Sequence, residues 1–364
     1  MSDTAPLFQP LAIGAIAARN RVLMAPLTRN RAQSDGTPKP MAVAYYRQRA
    51  SAGLIVTEAT QVSAMGKGYL DTPGIHAPEH VAAWRQVTDA VHAAGGRIVL
   101  QLWHVGRISH TSLLPGGAAP VAPSAIRAKT QTFTPNGFED VSAPRALETA
   151  EIPGLIADFV QGARNAMAAG FDGVEVHAAN GYLLDQFLRA GLNQRTDGYG
   201  GSVEGRIRLA VEVVEAVAHA IGADRVGVRV SPFGTFNDIP TEGAEETFAA
   251  LYRALAPIGL AYLHVVEQFP GSTPAAAETA ALDRLRTLWQ GVYIANGEFD
   301  AARAADWIAR GRADAVSFGR PFIANPDLPA RIRQGAALNA PDPSTFYGGD
   351  EKGYTDYPAL GEAA

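Results

Sequence analysis

The sequence predicts an α/β fold, a single (β/α)8 (TIM) barrel. Three observations carry that expectation. Eight short apolar runs rich in β-branched residues recur along the chain. Segments of helical period lie between them. The 364 residues allow about 45 residues per strand–helix unit, which suits a barrel.

Taken in order, the runs are Arg21–Ala25, Leu54–Glu58, Ile98–Leu102, Gly173–Val176, Val226–Val230, Tyr262–Val266, Val292–Ala295 and Ala315–Phe318. Between the second and third, apolar residues fall three or four apart at Val81, Trp84, Val87 and Val91. The same spacing holds at Leu155, Ile156, Phe159, Val160, Ala163 and Met167, and at Ile207, Ala210, Val211, Val214, Val217 and Ile221. Ser202 and Asp300 are placed to cap helix starts, and Gly95 and Gly170 to end helices. The longest departure from the repeat, residues 105–150, follows the third strand and is rich in proline and glycine. In a barrel it sits on the catalytic face, as a lid or pocket wall, the other reading being a tolerated surface insertion. The rival is a doubly wound open sheet with a second domain. No G-x-G-x-x-G follows the first run and no composition shift marks a linker, so one domain over 1–364 is expected.

Composition excludes several function classes. Cys 0 removes disulfide frameworks, thiolate zinc sites, iron–sulfur clusters and cysteine nucleophiles. Lys+Arg 31 against Asp+Glu 36 gives a net charge of −5 with no basic stripe, so no nucleic-acid partner is expected. The opening MSDTAPLFQP does not read as a leader, and no apolar stretch approaches the roughly 18 residues of a membrane span. A cytoplasmic protein without a membrane partner is the expectation.

Barrel active sites form where strands end. The strand-end residues include Pro26 and Thr28, Ala59, Gln101 and Trp103, His177 and Asn180, Arg229, Asn296 and Gly297, then Gly319 and Arg320. The last two strands end in Asn296-Gly297 and Gly319-Arg320, where barrels frequently hold phosphate against backbone N–H groups. Arg320 offers a fork that matches phosphate oxygens. His177 and Asn180, three apart, can face one side of an opening helical turn and polarise a carbonyl or nitro oxygen. Tyr182 lies about 200° from Asn180 on a regular helix, so it shares that face only if Gly181 breaks the turn. A neutral phenol there can donate a proton. Arg229 reads as a clamp on an anionic ligand or cofactor, or as a partner of a carboxylate within the barrel. His104, His177 and His264 raise a metal site, but His264 lies inside a strand run and no metal is expected.

These residues resemble the Old Yellow Enzyme family of FMN-dependent ene-reductases, over Leu7 to about Pro358. Met24-Ala-Pro-Leu-Thr-Arg29, Gln101-Leu-Trp-His-Val-Gly-Arg107, His177-Ala-Ala-Asn-Gly-Tyr-Leu-Leu-Asp-Gln-Phe-Leu188, Asn193–Ser202 and Phe318-Gly-Arg-Pro321 carry the likeness. The opening Leu7–Val22 looks like the family's N-terminal hairpin. The resemblance implies bound, non-covalent FMN, reduced by NADPH or NADH, passing hydride to activated alkenes: unsaturated carbonyls, imides or nitroalkenes. It implies FMN contacts from Pro26, Thr28, Ala59, Gln101, Arg229, Asn296, Gly297, Gly319 and Arg320. It also implies substrate oxygen binding by His177 and Asn180, and proton donation by Tyr182. Tyr69, Trp103, Phe269 and Tyr347 would shape the pocket. The resemblance sets Thr28 where another branch carries cysteine, so a hydroxyl would adjust the flavin. Two other readings remain: a metal-dependent barrel hydrolase using His104 and His177, and a flavoprotein that binds phenols without turnover. The assembly expected is a monomer or weak homo-oligomer.

Overall fold

The computed structural model describes residues 4–361. The outermost residues of the expected domain, 1–3 and 362–364, lie outside them. Eight parallel strands close into a barrel: β1 (Val22–Met24), β2 (Ile55–Val56), β3 (Ile98–Trp103), β4 (Gly173–Ala178), β5 (Val226–Val230), β6 (Tyr262–Val266), β7 (Tyr293–Asn296) and β8 (Ala315–Phe318). Each pairs with its neighbours in chain order, and β8 returns to β1 through Val316↔Val22 and Phe318↔Met24. All eight expected runs form the barrel, within a few residues.

The second strand differs most from expectation. After Val56 the ladder breaks, because the amide of Gln101 donates to the Thr57 hydroxyl oxygen at 3.1 Å. Pairing with β3 resumes at Thr60↔Leu102, after Val56↔Val99. The second strand therefore carries one extra residue, a bulge that re-aims Glu58 and Ala59 at the rim.

The helices form where the apolar period placed them. Ser202 accepts from the Gly205 amide at 3.1 Å and Asp300 from the Arg303 amide at 2.7 Å, each capping a helix start. A hairpin, Leu11–Ile13 with Ile16–Ala18, precedes β1. Its Ile13, Ile16 and Ala18 pack with Leu23, Leu54, Val99, Ala261, Ile294 and Ala315 near the strand starts. The hairpin thus plugs the N-terminal end of the barrel, leaving the opposite end for chemistry.

Two segments build that opposite end upward. Within 105–150, Gln131–Thr134 pairs with Gly137–Asp140 as a hairpin, held to the preceding loop by a bond from the Leu70 amide to the Phe133 carbonyl at 3.0 Å. The C-terminal segment folds back over the loop after β1. Buried Arg29 donates to the carbonyls of Phe346 (2.9 Å) and Gly353 (2.7 Å), and Arg31 to those of Thr345 (2.9 Å) and Asp350 (2.9 Å). Tyr354 stacks on Tyr45 at 4.0 Å beneath the Arg29 guanidinium.

Candidate functional site

The turn after β4 is the most constrained part of the strand-end face. The expected helical turn over 177–182 is not what forms. The strand runs to Ala178, Asn180 (φ 58°) and Gly181 (φ 78°) are left-handed, and the helix begins only at Leu183. Left-handed backbone suits Asn and Gly. A Cβ on Gly181 would lie 2.7 Å from the Asn237 Cβ and 2.8 Å from the Phe236 carbonyl oxygen. The Asn180 amide donates to Ser231 Oγ at 2.8 Å, and Asn237 Nδ2 to the Asn180 carbonyl at 2.8 Å. The Gly181 amide donates to Asp185 Oδ2 at 2.9 Å, and Arg189 Nε to Asp185 Oδ1 at 2.7 Å. This break at Gly181 brings Tyr182 to the same side as His177, the condition for the three to act together.

Four aromatic rings then meet. Tyr182 packs edge-on against Trp103 (centroids 5.0 Å) and His177 (5.1 Å), and Tyr69 stacks on Trp103 at 5.8 Å. Ala59, Val105, Ala128 and Val141 complete this cluster, so the long loop's residues 128 and 141 form part of its wall. Phe269 stands at the rim with Phe236, rings near parallel at 6.5 Å. Tyr347 is on the C-terminal segment and 68% exposed, not enclosed by the cluster.

The hydrogen bonds fix the chemical character of the central groups. The Ala179 amide donates to His177 Nδ1 at 3.3 Å, so the ring's proton belongs on Nε2. Burial, then the charge of Arg229, pushes His177 well below its ordinary pKa, and it is a neutral donor. Burial also raises the Tyr182 phenol to about 12. Arg229 is buried, with Nη2 donating to Asn296 Oδ1 at 2.7 Å while Asn296 Nδ2 donates to the Ser317 carbonyl at 3.1 Å.

Among the described residues, Trp103 Nε1, Asn180 Oδ1 and Arg229 Nε are buried without a hydrogen-bond partner. Buried atoms elsewhere, such as Arg206 Nε and the Tyr252 hydroxyl, also lack a partner, but these three share one strand-end face and fit a site built for a polar planar ligand. Pro26 and Thr28 line the same end half-buried, and Ala59 is buried beside Trp103. Arg320 is exposed, with Nη1 4.0 Å from Glu298 Oε1. A Cβ on Gly319 would meet only Leu27, and one on Gly297 would lie 3.2 Å from the Gln268 Cβ.

Glu175, Ser231, Phe236 and Asn237 join the site without a clear signal in the sequence. Glu175 sits inside a strand run, where a charge looks like an interruption. Asn237 has only its Asn-Asp neighbourhood, a turn signal, to recommend it. His264 is bonded at both ring nitrogens, by Glu175 and Ser317, and His104 Nδ1 accepts from the Gly106 amide.

Known proteins share this architecture throughout. Residues 6–339 match the sequence model of the NADH:flavin oxidoreductase / NADH oxidase family. The chain is 43% identical to 12-oxophytodienoate reductase 2 of Arabidopsis thaliana over 369 residues, covering 100% of this chain and 98% of that one. It is 45% identical to chanoclavine-I aldehyde reductase of Penicillium roqueforti, covering 96% and 95%. The structure of morphinone reductase superposes with a TM-score of 0.94 at 50% identity, over 97% of this chain and 96% of that one.

Proposed function

The chain belongs to the NADH:flavin oxidoreductase / NADH oxidase family, a family of FMN-dependent oxidoreductases, and we propose that it reduces activated C=C bonds at the expense of NADPH or NADH. The observation that carries this reading is the convergence of a neutral His177, Asn180 and the Tyr182 phenol at one strand-end face. The relatives include a 12-oxophytodienoate reductase and an aldehyde reductase.

The residues present fit FMN. Arg229 Nε and the Gln101 amide offer a cation and a polar edge for the ring system, beside Thr28, Pro26 and Ala59. Asn296 holds Arg229 in place, and the loops at Gly297 and Gly319-Arg320 offer backbone N–H groups and a guanidinium for the phosphate. When bound, FMN supplies hydride transfer from nicotinamide to alkene.

The chain's own groups do the rest. His177 Nε2–H and the Asn180 side-chain Nδ2–H donate to the carbonyl, imide or nitro oxygen of the alkene and stabilise the negative charge that gathers there. Two neutral donors do this without a charge to desolvate. The Tyr182 hydroxyl gives its proton to the α-carbon. Trp103, Tyr69, Phe269 and Phe236 shape an aromatic slot that excludes water from the reacting carbons, and Tyr347 overhangs its entrance.

The test is direct. Purified protein is expected to carry a flavin spectrum, release FMN on denaturation, and oxidise NADPH or NADH faster when a cyclic enone, maleimide or nitroalkene is added. FMN-loaded protein that passes electrons to none of these acceptors sinks the reading.

A further inference from the structure

A chain of hydrogen bonds crosses the barrel interior below the strand ends. Gln101 Nε2 on β3 donates to Glu175 Oε1 on β4 at 2.7 Å. Glu175 Oε2 is 2.8 Å from His264 Nδ1 on β6, and His264 Nε2 is 2.7 Å from Ser317 Oγ on β8. β4 and β8 lie on opposite sides of the barrel, so His264 spans the interior. Glu175, His264 and Ser317 are fully buried.

The partners determine each proton. An ionised carboxylate only accepts, so His264 Nδ1 carries hydrogen, Nε2 accepts, and the Ser317 hydroxyl donates. Gln101 must turn its Nε2 toward Glu175, which leaves its Oε1 as an acceptor on the other side. Burial alone would push the Glu175 carboxyl up, but the hydrogen bonds from His264 and Gln101 and the nearby Arg229 charge hold it below the ordinary range. Burial pushes His264 down, so the imidazole is neutral. The positive charge facing this buried anion is therefore Arg229, which pairs in register with His264 on β6 and His177 on β4. None of the steps proposed above uses Glu175.

We propose that Glu175 is a positioning residue for the flavin: its carboxylate offsets the Arg229 charge and fixes the Gln101 amide, lowering the reduction potential of bound FMN. The inference rests on the FMN reading above. A guanidinium close to the ring system favours the negatively charged reduced form, and a fixed anion behind it weakens that preference. The carboxylate thereby keeps reduced FMN a strong enough donor for alkenes while Arg229 still holds the ring.

Glu175→Gln is a fair probe, because the network can absorb it. The introduced amide can accept from Gln101 and donate to His264 Nδ1, if His264 changes tautomer and donates from Nε2 to Ser317. The measurement is the midpoint potential of the bound FMN, read by spectral titration against a reference dye. The expected shift is positive, at least tenfold in the reduced-to-oxidised ratio at fixed poise, which is about 30 mV for a two-electron couple. His264→Leu reaches the same state by another route. Without the Nδ1–H donor, the buried Glu175 takes up a proton, and the potential moves the same way. Potentials within error of wild type in the folded, FMN-loaded variants overturn the inference. If Glu175→Gln does not fold, His264→Leu alone decides. Wild-type protein that binds no FMN would instead overturn the functional reading.

Discussion

The hydroxyl oxygens of Tyr69 and Tyr182 lie 3.2 Å apart, the first residue half-buried and the second buried. In the proposed mechanism, Tyr69 is thus the neighbour through which Tyr182, having given up its proton, regains it. Tyr182→Phe is expected to slow alkene reduction about 10²-fold or more while leaving flavin reduction by NAD(P)H near wild type. Tyr69→Phe should slow the same half-reaction less. Stopped-flow measurement of the two half-reactions separates these outcomes.

Because burial raises the Tyr182 phenol to about 12, it remains a protonated donor well above neutrality. Because burial and Arg229 depress His177, that ring stays neutral down through its ordinary titration range. The alkene-reducing half-reaction is therefore expected to be flat from about pH 7 to about pH 10. A break near pH 6.5 assignable to His177, or near pH 10 to Tyr182, contradicts these environments.

In the proposed mechanism, His177→Ala removes one donor to the substrate oxygen, and Asn180→Ala the other. Each is expected to lower enone turnover about 10²-fold, and both together should weaken phenol binding. The flavin spectrum should persist, since neither residue is a proposed flavin contact. Loss of FMN in these variants would move both residues to the cofactor.

Gly181→Ala puts a side chain into left-handed backbone, at a cost of about 1–2 kcal/mol, and against Asn237 and the Phe236 carbonyl. The turn must shift to relieve the contact, so Tyr182 moves with it. The expectation is a lower Tm together with slowed alkene reduction, the second effect larger than a loss of folded protein explains.

Arg29→Met removes a donor from the carbonyls of Phe346 and Gly353 and a cation from beside the stacked Tyr45 and Tyr354 rings. Destabilisation of about 3 kcal/mol or more is expected, since hydrogen bonds to a charged group contribute about 1.5–3 kcal/mol each. Limited proteolysis should cut near 340–357 before the barrel is attacked.

The barrel is legible because strand runs such as Val292–Ala295 are apolar on both faces and the helices between the runs keep a clean period. The site is legible where chemistry follows a strand end directly, as at His177 and Arg229. The geometry joining Asn180 to Tyr182 is not, because a helical turn and a left-handed break are both open to Asn-Gly until Ser231 and Asn237 bond the backbone. Asn296 shows the same limit. Its position reads as a phosphate loop, while its side chain is spent on Arg229 and the Ser317 carbonyl. Glu175 has no local signal because its partner His264 lies 89 residues further along the chain.

Arg29 and Arg31, only a few residues past β1, take their acceptors from residues 345–353. During synthesis these two side chains meet most of their acceptors only once residues 345–353 have emerged, long after Tyr45 is available to Arg29. A nascent polypeptide that has already released β8 can close its cylinder, yet still lacks the segment 345–353 that these two guanidinium groups hold.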